Sequence, residues 1–230
     1  MLIAAAGDLH CGGPAATELV VASFAELADA DLVLLAGDVT DAGRPEQAAM
    51  LVDACKDLDA TVVAVLGNHE RHSRRQDEIV AVLRSGGVVV LEGAHHIVNV
   101  QGTRVGVVGT TGFRGGFGSR TGRRGSMPPA WAEHLVALDQ GLQAVASCAL
   151  RIVLLHYSPT PDTLVGERRA LWDVLGAELL ADPIAAHHPH LVVHAHAHEG
   201  SPRGEIGDVP VYNVSMPVIG NRFKVFEFGA

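Results

Sequence analysis

Short apolar runs recur along the chain, separated by polar and Gly-rich punctuation. Leu2–Ala6, Leu32–Ala36, Thr61–Leu66, Val88–Leu91, His96–Val100 and Arg104–Val108 read as strands in the first part, and Ile152–Leu155, Leu191–Val193, Val209–Val214 and Lys224–Phe228 in the second. Most are continuous rather than alternating, as expected of strands covered on both faces. Between them the period changes to that of a helix: Val20, Phe24 and Leu27 after Pro14, then Ala48, Leu51, Val52, Cys55 and Leu58. Ile79, Val82 and Leu83 predict a third helix, with Ser73 as its N-cap and Gly86-Gly87 as its stop. Trp131, Leu135, Leu138, Leu142 and Val145 predict a longer fourth after Pro128-Pro129.

Strand–helix alternation with buried strands implies an α/β layout. Thr110–Ser126, rich in Gly and Arg and without period, reads as a loop long enough to act as an active-site flap. No stretch has the composition of a linker, so residues 1–230 are expected to form one domain.

At 230 residues the chain can bury a full core, and with 48% hydrophobic but only 4% aromatic residues that core must be aliphatic. The formal charge of −9 disfavours a general nucleic-acid binder. No apolar run approaches the ~20 residues needed to cross a bilayer, so no membrane partner is expected. The opening Met1–Asp8 lacks a basic n-region, and Cys11, Cys55 and Cys148 are scattered and odd in number; both favour a cytoplasmic protein.

The candidate chemistry sits just after the strands. The first is followed by Asp8-Leu9-His10, the second by Gly37-Asp38-Val39-Thr40-Asp41, the third by Gly67-Asn68-His69-Glu70. Two later strands deliver His156 and the run His194-Ala195-His196-Ala197-His198. Ligand sites in open α/β sheets form beyond the carboxyl ends of strands, so five strands offer Asp, Asn or His to one rim. Carboxylate, amide and imidazole donors suit Mn, Fe, Zn or Co, while the lack of paired cysteines argues against structural zinc. A carboxylate can bridge two ions, and Asp38 is the natural bridge between cations roughly 3.5–4 Å apart.

The ordered set D-x-H, G-D-x-x-D, G-N-H-E, H and x-H-x-H resembles that of the calcineurin-like metallophosphoesterase family, over Asp8 to His198. The resemblance implies a four-layer α-β-β-α sandwich, two mixed sheets flanked by helices, with a dinuclear metal site at the C-terminal strand ends. It implies that Asp8, His10, Asp38 and His198 hold one metal, and Asp38, Asn68, His156 and His196 the other. His69 would be no ligand but face the substrate and protonate the leaving oxygen, with Asp41 orienting its ring. Two such cations would lower the pKa of water from about 15.7 toward about 7, supplying a hydroxide that would attack phosphorus in line with the leaving oxygen. The expected metals are Mn, Fe or Zn.

Other histidines read more plainly. His187, His188 and His190 fit a solvated loop around Pro189, His95 and His96 a turn and a strand start, and His72 the surface. The family's usual glycine is Ala195 here, so an ordinary φ is expected at that position. His194 is an extra nitrogen, either supporting the ligands or simply buried.

Serine/threonine phosphatases of the family carry arginines where this chain has Ala42 and Leu66, which disfavours a phosphoprotein substrate. A small phosphodiester or phosphomonoester, nucleotides included, is the expected partner, bound by Asn68, His69 and Arg114. Arg120, Arg123 and Arg124 share the same loop as Arg114. A metal-dependent nuclease and a non-catalytic scaffold of the same fold are the alternatives, and a homo-oligomer stays open.

Overall fold

The structure is a computed structural model and describes residues 1–12, 14–118, 127–220 and 222–229, leaving aside the side chains of 14–17. Five strands form the first sheet: β1 (Leu2–Ala6), β2 (Leu32–Ala36), β3 (Thr61–Val65), β4 (Val89–Val90) and β11 (Lys224–Glu227), in the order β11-β1-β2-β3-β4. Only β11 runs antiparallel. The second holds β5 (Ala94–Val100), β6 (Thr103–Thr110), β7 (Leu150–Leu155), β8 (Leu191–His194), β10 (Val209–Asn213) and β9 (Arg203–Ile206), in that spatial order. Its two edge pairs are antiparallel and its centre parallel.

Alternate residues of each strand serve different layers. Ile3, Ala5, Leu32, Leu34, Val63 and Val65 meet Val105, Val107, Ile152, Leu154 and Val193 between the sheets. Ala4, Val33, Leu35 and Ala64 face outward onto α1 (Pro14–Ala25), α2 (Pro45–Cys55) and, beyond the short α3 (Asn68–His72), α4 (Gln76–Ser85). On the far side Val108, Val153, Leu155 and Val192 pack against α5 (Pro129–Ala144), with α6 (Trp172–Leu175) and α7 (Ala181–His187) following it in the chain. The result is the expected α-β-β-α sandwich, and burial on both faces is why the strands read as unbroken apolar runs.

Several local expectations differ. Ser73 does not cap α4, which starts after Arg75; its hydroxyl instead donates to the main-chain oxygen of Glu70 at 2.7 Å, closing α3. His95 and His96 both lie within β5. His187 closes α7 rather than a loop, and all three histidines there have protein partners: Asp139 at 2.8 Å, Asp208 at 2.9 Å and the Arg151 N–H at 3.1 Å. The short edge strand β9, Arg-Gly-Glu-Ile, had no apolar signal to reveal it. Of the loop after β6, residues 119–126, with Arg120, Arg123 and Arg124, lie outside the described residues. Among the described residues no helix is long and apolar enough to cross a membrane.

Candidate metal centre

The loops after β1, β2, β3, β7 and β8 converge at one end of the sandwich. Asp8, His10 and His198 bring a ligand atom each within 4.8 Å of one another; so do Asp38, His156 and His196, and a third group of His10, Asp38 and His69 links the two. Asn68 joins through Oδ1, 3.0 Å from His156 Nε2. All seven expected ligands are therefore neighbours.

Getting them there bends the chain. Asp8, His10, Asp38 and His196 have φ values of 57°, 46°, 47° and 70°. For a residue with a Cβ each such angle costs about 1 kcal/mol or more, and it persists only where the surroundings dictate it. Here main-chain bonds from Asp8 to Gly37, from His10 to Asp38 and from Cys11 to Val39 lash the first loop onto the second. At Ala195 φ is not positive; the left-handed residue is the next, His196, so alanine there is unstrained, as expected.

Glycine is required where the second and third loops touch. A Cβ on Gly67 would lie 2.0 Å from Asp38 Oδ1. Glu70, fully buried, ties the same two loops together: its carboxylate accepts from Thr40 N at 2.8 Å, from the Thr40 hydroxyl and from Gly67 N at 2.8 Å. Burial, and the charge of Asp38 nearby, push its pKa up. In the sequence Glu70 is only the last letter of G-N-H-E; an acid three residues beyond a glycine that opens a helix is the signal that assigns it this role.

The histidines are held in defined tautomers. His156 Nδ1 lies 2.9 Å from the main-chain oxygen of Ala36, which can only accept, so the ring proton sits on Nδ1. Its bare Nε2 then faces Asp38 Oδ2 at 3.5 Å and Asn68 Oδ1 at 3.0 Å. His196 uses Nε2 towards the oxygen of Val174 at 3.3 Å, which leaves Nδ1 for the cluster, and burial lowers its pKa to about 3. Burial would raise Asp8, but its bond to His198 and the charge of that ring hold it below the usual carboxylate range. The same bond raises the pKa of His198.

His69 stands beside this group. Its N–H donates to Asp38 Oδ1 at 2.9 Å, and its ring Nδ1 donates to the main-chain oxygen of Asp41. Asp41 thus meets His69 through its backbone, not its carboxylate. His194 is fully buried, bonded to the oxygen of Ala195 and to Thr163 Oγ1, both at 2.8 Å, and burial lowers its pKa to about 4. Arg114 lines a cavity beside Asn68 and Tyr157.

The donor set fits divalent cations. His10 Nδ1 is buried with no hydrogen-bond partner among the described residues, an arrangement proteins avoid unless another group satisfies it. His156 Nε2, Asn68 Oδ1 and Asp38 Oδ2 converge as acceptors with no proton between them, which a cation resolves.

An α-β-β-α sandwich with oxygen and nitrogen donors gathered at its strand ends is the architecture of a metal-dependent hydrolase. Residues 1–200 match the sequence model described as calcineurin-like phosphoesterase, and the chain belongs to that family. It is accordingly a hydrolase acting on ester bonds. No curated protein matches it. Among solved structures it is similar to the phosphopantetheinyl hydrolase of Mycobacterium tuberculosis, with a TM-score of 0.71 and 15% identity over 95% of this chain and 90% of that one. It is similar too to the TT1561 protein of Thermus thermophilus, with a TM-score of 0.62 and 17% identity over 98% of both chains. A purple acid phosphatase from yellow lupin aligns over all of this chain and 46% of its own length, with a TM-score of 0.57 and 12% identity. At these identities the likeness is one of fold.

Proposed function

We propose that the chain hydrolyses a small phosphodiester or phosphomonoester, nucleotides included, with two divalent metals. Asp8, His10, Asp38 and His198 would hold one and Asp38, Asn68, His156 and His196 the other, with Mn, Fe and Zn all suited to these donors. Such cations acidify water and offset charge on phosphoryl oxygens. The observation that carries this reading is the convergence of Asp38 Oδ2, His156 Nε2 and Asn68 Oδ1 as facing acceptors, with His10 Nδ1 buried and without a partner among the described residues.

The residues around that centre divide the remaining work. Hydrolysis breaks the bond from phosphorus to the leaving oxygen, and that oxygen must take up a proton. His69 is not needed as a ligand, is partly exposed, and is fixed by Asp41 through Nδ1, so Nε2 is the atom that delivers it. His194 and Glu70 hold loops and touch no reacting atom. The buried thiols of Cys11, pushed up to about 12 by burial, and of Cys55 and Cys148 play no part in the chemistry; unpaired, they support a reducing, cytoplasmic setting.

The test is a screen of the metal-reconstituted protein against bis(4-nitrophenyl) phosphate, 4-nitrophenyl phosphate, cyclic nucleotides and single-stranded DNA. Turnover of a small ester that disappears with chelator is the expected result. Turnover of DNA alone, with binding that falls steeply as salt rises, would replace the reading with a nuclease.

A further inference from the structure

Next to the metal centre, and sharing Asn68 with it, lies a cavity of about 270 Å³. This is slightly below the ~300–1,000 Å³ of whole small-molecule sites, a size for part of a substrate. Its wall carries Arg71, Arg114, Phe113, Trp131, His134 and Tyr157, and none of its lining residues is acidic. In a chain of net charge −9 an acid-free wall with two guanidiniums is a local reversal of sign. Neither arginine has a carboxylate partner among the described residues; for comparison, Arg75, four positions beyond Arg71, is bound twice to Glu78 at 2.8 and 3.0 Å. Both Arg71 and Arg114 bear electrostatically on the Tyr157 hydroxyl. One side of the cavity is flat and apolar, because Phe113 and Trp131 stack with centroids 4.9 Å apart and planes at 13°.

The elements explain the placement. Arg71 follows His69 on α3, so the turn that presents the proton donor also presents this guanidinium. Arg114 comes from the opposite sheet, four residues beyond the end of β6. A planar guanidinium matches carboxylate or phosphate oxygens in pairs, and two of them facing one chamber form a clamp for an anion.

We propose that this cavity receives the organic arm of the substrate and selects an arm bearing a second anionic group, carboxylate or phosphate, held between Arg71 and Arg114 against the Phe113–Trp131 wall. This rests on the hydrolytic reading of the neighbouring metal centre and names the substrate class of that site: a phosphate ester with two separate negative ends. The shared residue Asn68 sets the order, with the ester phosphate at the cluster and the second anion at the arginines.

The test compares phenyl phosphate with 4-carboxyphenyl phosphate and hydroquinone bisphosphate, and their methyl diesters, on metal-reconstituted protein. The esters with a second anionic group should be preferred by about tenfold or more in kcat/KM, through KM, and the preference should fall to about twofold or less in the Arg71→Gln/Arg114→Gln variant. The anion that gains more identifies the natural one. A parent with no preference overturns the proposal. So does a double variant that loses every substrate in equal proportion, which would put the arginines on the scissile phosphate instead. A second readout needs no turnover: quenching of Trp131 fluorescence in a Trp172→Phe background, titrated with 4-hydroxybenzoate and with 4-hydroxybenzamide. Saturable quenching by the carboxylate alone, lost in the double arginine variant, supports the pocket; equal or absent quenching overturns it. Should no ester be turned over while the carboxylate still quenches, the hydrolytic reading falls and the pocket stands.

Discussion

His156 Nε2 lies 3.5 Å from Asp38 Oδ2, although the two residues follow strands of different sheets and are far apart in the chain. The contact is held from behind: His156 Nδ1 is bonded to the oxygen of Ala36, the last residue of β2 and two before Asp38. One ring thus spans the sandwich, anchored on the strand that delivers the carboxylate it faces. The centre is built across the interface between the sheets, so its geometry depends on how they pack.

Removing the proposed proton donor should separate chemistry from metal binding. His69→Ala is expected to lower kcat by about 10²-fold or more, as loss of general acid catalysis does, with metal content nearly unchanged. Elemental analysis beside steady-state kinetics decides it, and loss of both metals would reassign His69 as a ligand.

Glu70 is buried, and its carboxylate accepts from two loops. Glu70→Ala strands the N–H groups of Thr40 and Gly67 and should destabilise the fold by about 3 kcal/mol in urea titration. Because those loops carry Asp38 and Asn68, metal affinity should weaken by about 10- to 100-fold, as for other residues that support ligands. Unchanged affinity in a destabilised variant would confine Glu70 to folding.

Gly67→Ala tests the close approach of the second and third loops. Its Cβ would fall 2.0 Å from Asp38 Oδ1, so the carboxylate must move and bound metal should drop. Gly87→Ala is the control: φ there is 85°, and an added Cβ meets nothing within 4 Å, so it carries backbone strain without a clash. Stability should fall slightly and metal content should hold.

His134 gives stability a pH dependence away from the ligands. Burial, with the charge of Arg71, lowers its pKa from 6.5 to about 4. Between these values the unfolded chain binds a proton that the folded one refuses, so stability is complete above pH 6.5 and declines as pH falls toward 4. Urea midpoints at about pH 7 and about pH 5, on either side of the unfolded value, should converge in His134→Gln relative to the parent. An unchanged gap would show that other groups set it.

Much of this molecule is legible from the chain alone. The runs that became β1, β2 and β3 stand out because burial on both faces removes every polar residue from their interiors, and the Asp, Asn and His after them stand out because they end those runs. What eluded sequence reading had no period to follow: the edge strand β9, and the turns between Pro161 and Leu180, which pack as single short helices. Ser73 misled because a serine before a helical run is an ordinary cap, whereas Glu70 had closed the previous turn onto it.

The order of residue types along the chain, by itself, determined the fold class and the candidate donors, because strand hydrophobicity and side-chain chemistry are local properties. Tertiary structure alone decided which nitrogen of each ring is bare, which carbonyl anchors it, why glycine must stand at 67, and that Arg71 and Arg114 face one chamber. Those are relations between segments brought together by packing, and distance through space is not written in distance along the chain.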